Sequence, residues 1–306
     1  MGINVTTLDL NFLGIPGAIA AYLIRHPGGA ILVECGPGST LPALLEGLKR
    51  NNIEVSDLTD VLLTHIHLDH AGAAGWLAHQ GARIHVHPNG APHLLNPEKL
   101  LASAARIYGD QMASLWGEFL AVPPEQLSVL NDGELINIQG LTFKPLDTPG
   151  HADHHYAYII ENICFSGDIG GVRLTDTRHI RLPMPPPEFH LGKWRASLAR
   201  LTKEQFSIIA PTHFGYFSDP EWHLSSLGKA LEGIEAWIET IMPGDPEVSE
   251  INQRLSKWAE SRAVEDGVPV EKIQAYESAN PTWMSGYGIL RYWRKYRSIP
   301  IKTLNH

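Results

Sequence analysis

A chain of 306 residues, 43% hydrophobic and 19% charged, has the composition of a globular protein that can bury a sizeable core. Its formal net charge of −9 argues against a general nucleic-acid surface, which depends on basic patches. No run approaches the roughly eighteen apolar residues of a membrane span, and Cys35 and Cys164 alone make no disulfide framework.

Near the start, Met1-Gly2-Ile3-Asn4-Val5-Thr6 formally fits an acylation pattern but overlaps the first predicted strand. No basic-then-apolar leader is visible, so a cytoplasmic location is expected. Val5 to Leu10, Ala18 to Arg25 and Ala30 to Glu34 read as strands separated by Gly- and Pro-containing turns. A helix is predicted from Leu41 to about Arg50, capped by Ser39 or Thr40. Val61 to Leu63 is a buried strand, followed by a helix from about Ala71 to His79 and a strand over Arg83 to Val86. From Pro88 to Pro124 the spacing turns helical and is broken at Pro92, Pro97 and Gly109, which suggests an inserted flap. Asp132-Gly133 lies between strand-like runs and signals a hairpin. Further strands are expected at Leu141 to Leu146, Tyr156 to Ile160, Ile163 to Phe165 and Ile208 to Ala210, with a helix over Trp194 to Leu201. Residues 171–192 lack periodicity and carry Pro183, Pro185, Pro186 and Pro187, a loop long enough to be functional. Past Asp219 the pattern is helical, with long helices at 221–241, 247–264 and 281–297. The boundaries are therefore 1–218 for an α/β body, with its flap at about 88–124, and 219–306 for a helical C-terminal region.

The chemistry concentrates after the strand Val61–Leu63, in Thr64-His65-Ile66-His67-Leu68-Asp69-His70. Extended backbone sends residues i and i+2 to the same side, so His65 and His67 converge. Asp69 and His70 come just before the expected helix start at Ala71 and leave in another direction, so one loop can serve two neighbouring metals. His151, Asp168 and His213 each follow a strand end as well. Five histidines and two aspartates suit two borderline divalent ions, most readily zinc, with iron or manganese also accepted and one carboxylate free to bridge.

Thr-His-Ile-His-Leu-Asp-His, Thr-Pro-Gly-His, Ser-Gly-Asp and Pro-Thr-His, in that order, resemble the metallo-β-lactamase superfamily over about residues 5–215. The resemblance implies an α/β fold, an αββα four-layer sandwich with the metal site at one edge. In the hydroxyacylglutathione hydrolase (glyoxalase II) group the matching positions would divide so that His65, His67 and His151 hold one metal and Asp69, His70 and His213 the second. Asp168 would bridge them. Such a pair would supply Lewis acidity and lower the pKa of water, so the resemblance implies hydrolysis of a thioester, ester or lactone. Asp69 and Asp168 would then serve catalysis as well as binding.

Substrate residues are less marked. Tyr216 is a candidate proton donor or substrate contact, and Arg173 a candidate partner for a substrate carboxylate. His154 and His155 are candidate hydrogen-bond partners of the ligands. Glu34, Cys35 and Gly36 end a strand near the site and carry no assigned chemistry. The basic-aromatic run Arg291 to Arg297 suggests one packed and one solvated helix face, or a grip on an anionic tail. Ile169-Gly170-Gly171-Val172-Arg173 departs from the Cys-Gly-rich segment of glyoxalase II. N-acyl homoserine lactonases share the ligand pattern, and the flap with Pro183 to Phe189 could form an acyl pocket. A metal-dependent phosphodiesterase and a mononuclear-iron persulfide dioxygenase-like protein also stay open. A small-molecule substrate is expected, with no nucleic acid or membrane partner, and a homodimer is open.

Overall fold

The computed structural model describes residues 3–298, so the acylation pattern at Met1-Gly2 and the ends of the two expected regions (1–2 and 299–306) lie outside it. β1 (Val5–Asp9), β2 (Ala20–His26) and β3 (Gly29–Val33) form an antiparallel meander. Parallel pairing needs a crossover, and helices supply each one. α1 (Leu41–Arg50) leads into β4 (Leu58–Leu62), while α2 (Leu68–Ala71) and α3 (Ala74–His79) lead into β5 (Arg83–Val86). The flap is the third crossover: α4 (Ala91–Leu95), α5 (Glu98–Tyr108) and α6 (Met112–Trp116) connect β5 to β6 (Leu127–Val129). These six strands make one sheet in the order β1-β2-β3-β4-β5-β6.

The second sheet comprises β7 (Ile136–Ile138), β8 (Leu141–Asp147), β9 (Tyr156–Ile160), β10 (Ile163–Phe165) and β11 (Ile208–Ala210). Its order is β11-β10-β9-β8-β7, with α7 (Leu191–Leu201) preceding the parallel strand β11. The expected hairpin at Asp132-Gly133 does not form. β6 belongs to the first sheet and β7 to the second, so this turn carries the chain across the sandwich. Leu130 is buried between the sheets, Gly133 N–H donates to Pro145 O (2.8 Å), and the Asp132 carboxylate accepts from Asp147 N (2.8 Å). The hairpin turn lies instead at Gln139-Gly140, where Ile138 pairs with Leu141.

Side-chain alternation explains the four layers. Tyr22, Ile24, Ile31 and Val33 face Phe143, Tyr156, Tyr158 and Phe165 between the sheets. Their neighbours Leu23 and Leu32 pack outward beneath α1, α3 and the flap, while Ala157 and Ile159 pack outward beneath α7 and α8. Buried tyrosine hydroxyls stitch the sheets at the edge that matters. Tyr158 reaches Leu63 O at 3.0 Å, just before the histidine motif, and Tyr22 reaches Pro211 O at 2.5 Å, just before His213. Each such bond contributes only about 0.5–1.5 kcal/mol net, but removing one leaves a buried carbonyl unpaired.

The C-terminal region is helical as expected: α8 (Pro220–Ile241), α9 (Val248–Glu265), α10 (Val270–Ala279) and α11 (Thr282–Tyr292), ending in a π turn at Trp293–Arg297. Leu227, Leu231, Ile234 and Ile238 of α8 share a core with Ile251 and Leu255 of α9 and with the outer face of the second sheet. The short α10 is not foreseen in the sequence, where Gly267 and Pro269 interrupt the pattern; its buried side is only Tyr276 and Ala279. Among the described residues no helix is long and apolar enough to cross a membrane.

Candidate metal centre

β4 ends at Leu62, and the extended backbone beyond it carries His65 and His67 to one point, as i, i+2 geometry requires. His65 Nε2 and His67 Nδ1 stand 2.9 Å apart, and His151 Nε2 lies 3.2 and 2.9 Å from them. Nitrogens bound to zinc at about 2.0–2.1 Å stand roughly 3.3 Å apart in a tetrahedron, so this triad fits one ion. Helix formation starts earlier than the sequence suggests. His67 stands at the N-cap position of α2, and Asp69 and His70 project from its turn rather than from the loop before it.

Those two residues meet His213 in a second cluster. Asp69 Oδ2 lies 3.6 Å from His70 Nε2 and 3.4 Å from His213 Nε2. Asp168 sits between the clusters: Oδ1 is 3.4 Å from His70 Nε2 and 3.5 Å from His213 Nε2, while Oδ2 is 3.3 Å from His151 Nε2. His70 Nε2 and Asp168 Oδ1 are buried with no hydrogen-bond partner, an arrangement normally costly and here directed at a common point. Gly167 makes the approach possible. Its φ of +54° is in the left-handed region, and a Cβ there would stand 2.6 Å from Thr64 Oγ1 and 2.7 Å from His155 Nε2. All seven residues expected to bind metal are thus gathered at one edge of the sandwich.

The far nitrogens of four imidazoles are held by oxygens, which fixes tautomer and ring orientation. His151 Nδ1 meets Pro183 O (2.9 Å), His213 Nδ1 meets Ala18 O (2.8 Å), and His65 Nδ1 meets Thr64 Oγ1 (3.0 Å). His70 Nδ1 meets Glu34 Oε1 at 3.0 Å, and the same oxygen accepts from Thr212 Oγ1 (3.0 Å) and, in a short contact, from Thr64 Oγ1. Glu34 is buried at 1% exposure and adopts φ +66°, a left-handed conformation that costs a residue with a Cβ of order 1–3 kcal/mol. The sequence by itself marks no role for it. Its one legible signal is a carboxylate at a strand end ahead of Gly36-Pro37-Gly38.

The electrostatics divide the imidazoles. Burial holds His65 well below its ordinary pKa and His67 at about 3, with neighbouring histidines adding to the shift. Burial also opposes charge on His70, but Asp69, Asp168 and Glu34 outweigh it and raise its pKa well above the usual value. Against the burial penalty, His70, His213 and His151 keep Asp168 ionised. The cluster is therefore built to draw in positive charge, and metal binding would displace protons from it.

Over these residues opens a cleft of ≈ 570 Å³. His67, Asp69, His151, Asp168 and His213 line its floor, and the flap supplies Leu100, Ile107, Tyr108 and Trp116. Pro183 and Pro185 to Pro187 form the opposing wall. Tyr108 packs on Trp116 (4.9 Å between centroids) and Trp116 on Phe12 (5.7 Å), so aromatic contacts seat the flap.

The remaining expected residues lie elsewhere. Tyr216 is 42% exposed and is not in the cleft lining. Arg173 is buried, with its guanidinium on Asp219 (2.6 and 3.0 Å) and over the Phe217 ring (3.9 Å), and does not line the cleft. It therefore braces the segment after His213 rather than facing a ligand. His154 and His155 are both buried; His154 lines the cleft 3.5 Å from Glu188, while His155 bonds Thr148 Oγ1 (2.8 Å), and neither holds the far nitrogen of another histidine. In the basic-aromatic run Tyr292 is buried and Arg297 pairs with Glu239 (2.9 Å). Arg291, Arg294 and Lys295 line an open groove that shares Ile107, Pro186 and Trp283 with the cleft.

Comparison with known proteins follows the same outline. The family described as the Metallo-beta-lactamase superfamily matches residues 14–213. A metallo-beta-lactamase fold-containing protein of Sulfurisphaera tokodaii is 24% identical over 207 residues, 64% of this chain and 77% of that protein. Hydroxyacylglutathione hydrolase of Aeromonas hydrophila is 30% identical over 148 residues, 48% of this chain and 44% of that enzyme, so the chain spans less than half of it. The crystal structure of a metallo-beta-lactamase family protein of Thermus thermophilus superposes with a TM-score of 0.64 at 21% identity, covering 95% of this chain and 93% of that one.

Proposed function

The chain belongs to the Metallo-beta-lactamase superfamily, and from that premise we propose that it is a two-metal hydrolase that cleaves an acyl thioester in preference to an oxoester or lactone. The observation that carries the two-metal part is Asp168, whose oxygens point one to each cluster. His65, His67 and His151 would hold one ion, Asp69, His70 and His213 the second, and Asp168 both. Zinc suits this imidazole and carboxylate set best, ahead of iron and manganese. When bound, such a pair supplies Lewis acidity and brings the pKa of water down towards neutrality.

The chain's own groups do the rest. Pro183 O, Ala18 O and Glu34 keep the protons of His151, His213 and His70 on Nδ1, so that each Nε2 presents a lone pair. Asp69, 24% exposed at its side chain, faces the cleft and can accept a hydrogen bond from the attacking water. The apolar flap and proline wall take the acyl chain and exclude bulk water, which strengthens the electrostatics within. Thioester cleavage is favoured because a thiolate, with a parent pKa of about 8.5, leaves without a general acid. Tyr216, a candidate acid from the sequence, is outside the cleft lining. The likeness to a hydroxyacylglutathione hydrolase supports the same substrate class.

The test is turnover by zinc-, iron- and manganese-loaded protein of a thioester, an oxoester and a lactone sharing one acyl group. A phosphodiester and a persulfide with an oxygen electrode complete the panel. The expected result is zinc-supported thioester hydrolysis with kcat/KM about tenfold or more above the oxoester, worth about 1.4 kcal/mol in the transition state. Oxygen uptake with one iron per chain, or turnover of the phosphodiester alone, would overturn the proposal.

A further inference from the structure

A second cavity, of ≈ 260 Å³, lies between α8, α9, the start of α11 and the loop over residues 178–184. None of the seven metal-binding candidates lines it. Its inner wall is apolar, with Ile180, Leu182, Met184, Ile234, Leu255 and Trp258. Its charged lining is cationic. Arg178, Lys229 and Arg262 are exposed, and Arg181 is buried at 7% exposure with its Nη1 on Glu277 (2.6 Å). Asp266, the single carboxylate in the lining, is committed to His179 at 2.7 Å. Lys229 has no ion pair among the described residues. Carboxylates just outside the lining answer three of these cations, Glu277 at Arg181, Glu265 at Arg262 (2.7 Å) and Asp219 at Arg178 (3.9 Å), which leaves Lys229 as the uncommitted charge at the mouth. An apolar chamber under a basic rim is complementary to a small anion with a greasy body.

We propose that this cavity is a binding site for a small carboxylate with an apolar body, such as a medium-chain alkanoate or an aryl-alkanoate. The head group would sit on Lys229, and the body against Trp258 and Leu255. The position gives the site a route to the catalytic cleft. Successive residues of one strip face opposite ways: Leu182 and Met184 line this cavity, whereas Pro183 and Pro185 line the cleft. Pro183 O is the acceptor for His151 Nδ1, and Met184 N–H donates to Ser285 Oγ at 3.3 Å. An occupant therefore bears on the backbone that orients a metal-binding histidine. The ligand class is that of the acid released by acyl hydrolysis, so under the function proposed above the site would sense product. The binding itself does not depend on that function.

Trp222 and Trp258 line the cavity and serve as reporters. The experiment titrates the full chain with octanoate and 4-phenylbutyrate, following tryptophan emission, with octanamide and octylamine as neutral and cationic controls. Saturable quenching with Kd of about 1 mM or tighter is expected for the acids, and at least tenfold weaker binding for both controls. Lys229→Glu, an exposed and unpaired position, should weaken octanoate binding about threefold or more, as charge reversal at a surface site predicts. The signal should vanish in the Trp222→Phe, Trp258→Phe double variant and survive in Trp116→Phe, whose tryptophan lines the catalytic cleft. No saturable binding, equal binding of acid and amide, or a signal that follows Trp116 instead would each overturn the proposal.

Discussion

Replacing Glu34 by glutamine tests how the site is held together without touching a residue expected to bind metal. Oε1 of Glu34 accepts from His70 Nδ1 and Thr212 Oγ1, each at 3.0 Å, and from Thr64 Oγ1, in a pocket closed to solvent. Glutamine keeps the volume and one acceptor, removes the charge that helps raise the His70 pKa, and introduces two N–H donors where only donors point inward. A buried donor without a partner costs about 1–3 kcal/mol. Loss of such a partner typically weakens metal binding about 10–100-fold, equivalent to about 1.4–2.8 kcal/mol. The loss should be unequal. His70 belongs to the cluster with Asp69 and His213, whereas the triad of His65, His67 and His151 feels Glu34 only through Thr64 and His65. Competition against a chromophoric chelator should therefore show one ion weakened by that factor and its neighbour changed about threefold or less. Binding of both ions within about twofold of the parent, or an equal loss at both, would mean that Glu34 does not hold His70 for metal.

Further perturbations act at a distance from the seven candidate metal-binding residues. Gly288 sits where an added Cβ would come 1.9 Å from Met184 O, so Gly288→Ala must push α11 off the strip that orients His151. A lower midpoint in thermal unfolding, of the order expected for overpacking (about 1–3 kcal/mol), should accompany a fall in turnover with metal content retained. Ile107→Asp puts a charge on the apolar flap wall and should raise KM for long acyl chains about tenfold or more, leaving kcat for an acetyl thioester nearly unchanged. Burial raises the Asp219 pKa, but the Arg173 guanidinium outweighs this and keeps it below the usual carboxylate value. The stabilisation is thus present above the unfolded pKa of about 3.9 and lost as pH falls through the lower folded value. Denaturant titrations of Asp219→Asn should show lower stability at neutral pH and a flatter acid limb below about pH 4, with no change in slope near pH 8.

Most of the sandwich is legible because each strand announces itself by local period, and Arg83–Val86 and Tyr156–Ile160 begin and end where the pattern says. The gathering of seven ligand-type residues is legible too, since each follows an apolar strand and strand ends share an edge. What escapes is whatever depends on which sheet a strand joins. Asp132-Gly133 looks like a hairpin locally, but burial of Leu130 between the sheets sends the chain across. Arg173 and Tyr216 look available in sequence, whereas Asp219 and the Phe217 ring claim the first and the fold leaves the second outside the cleft. Glu34 escapes for the opposite reason, since its partners Thr64 and Thr212 are 30 and 178 residues away.

If Asp168 joins two metal sites into one, its loss should cost the chain at least one ion. Metal content per chain by plasma emission, measured on the parent and on Asp168→Ala alongside circular dichroism, tests it most directly. Two ions per parent chain are expected, with a loss of at least one in the variant, an unchanged spectrum and no residual hydrolysis. A parent chain that saturates at a single ion, or a variant that keeps two ions and full turnover, would contradict a joining role for Asp168.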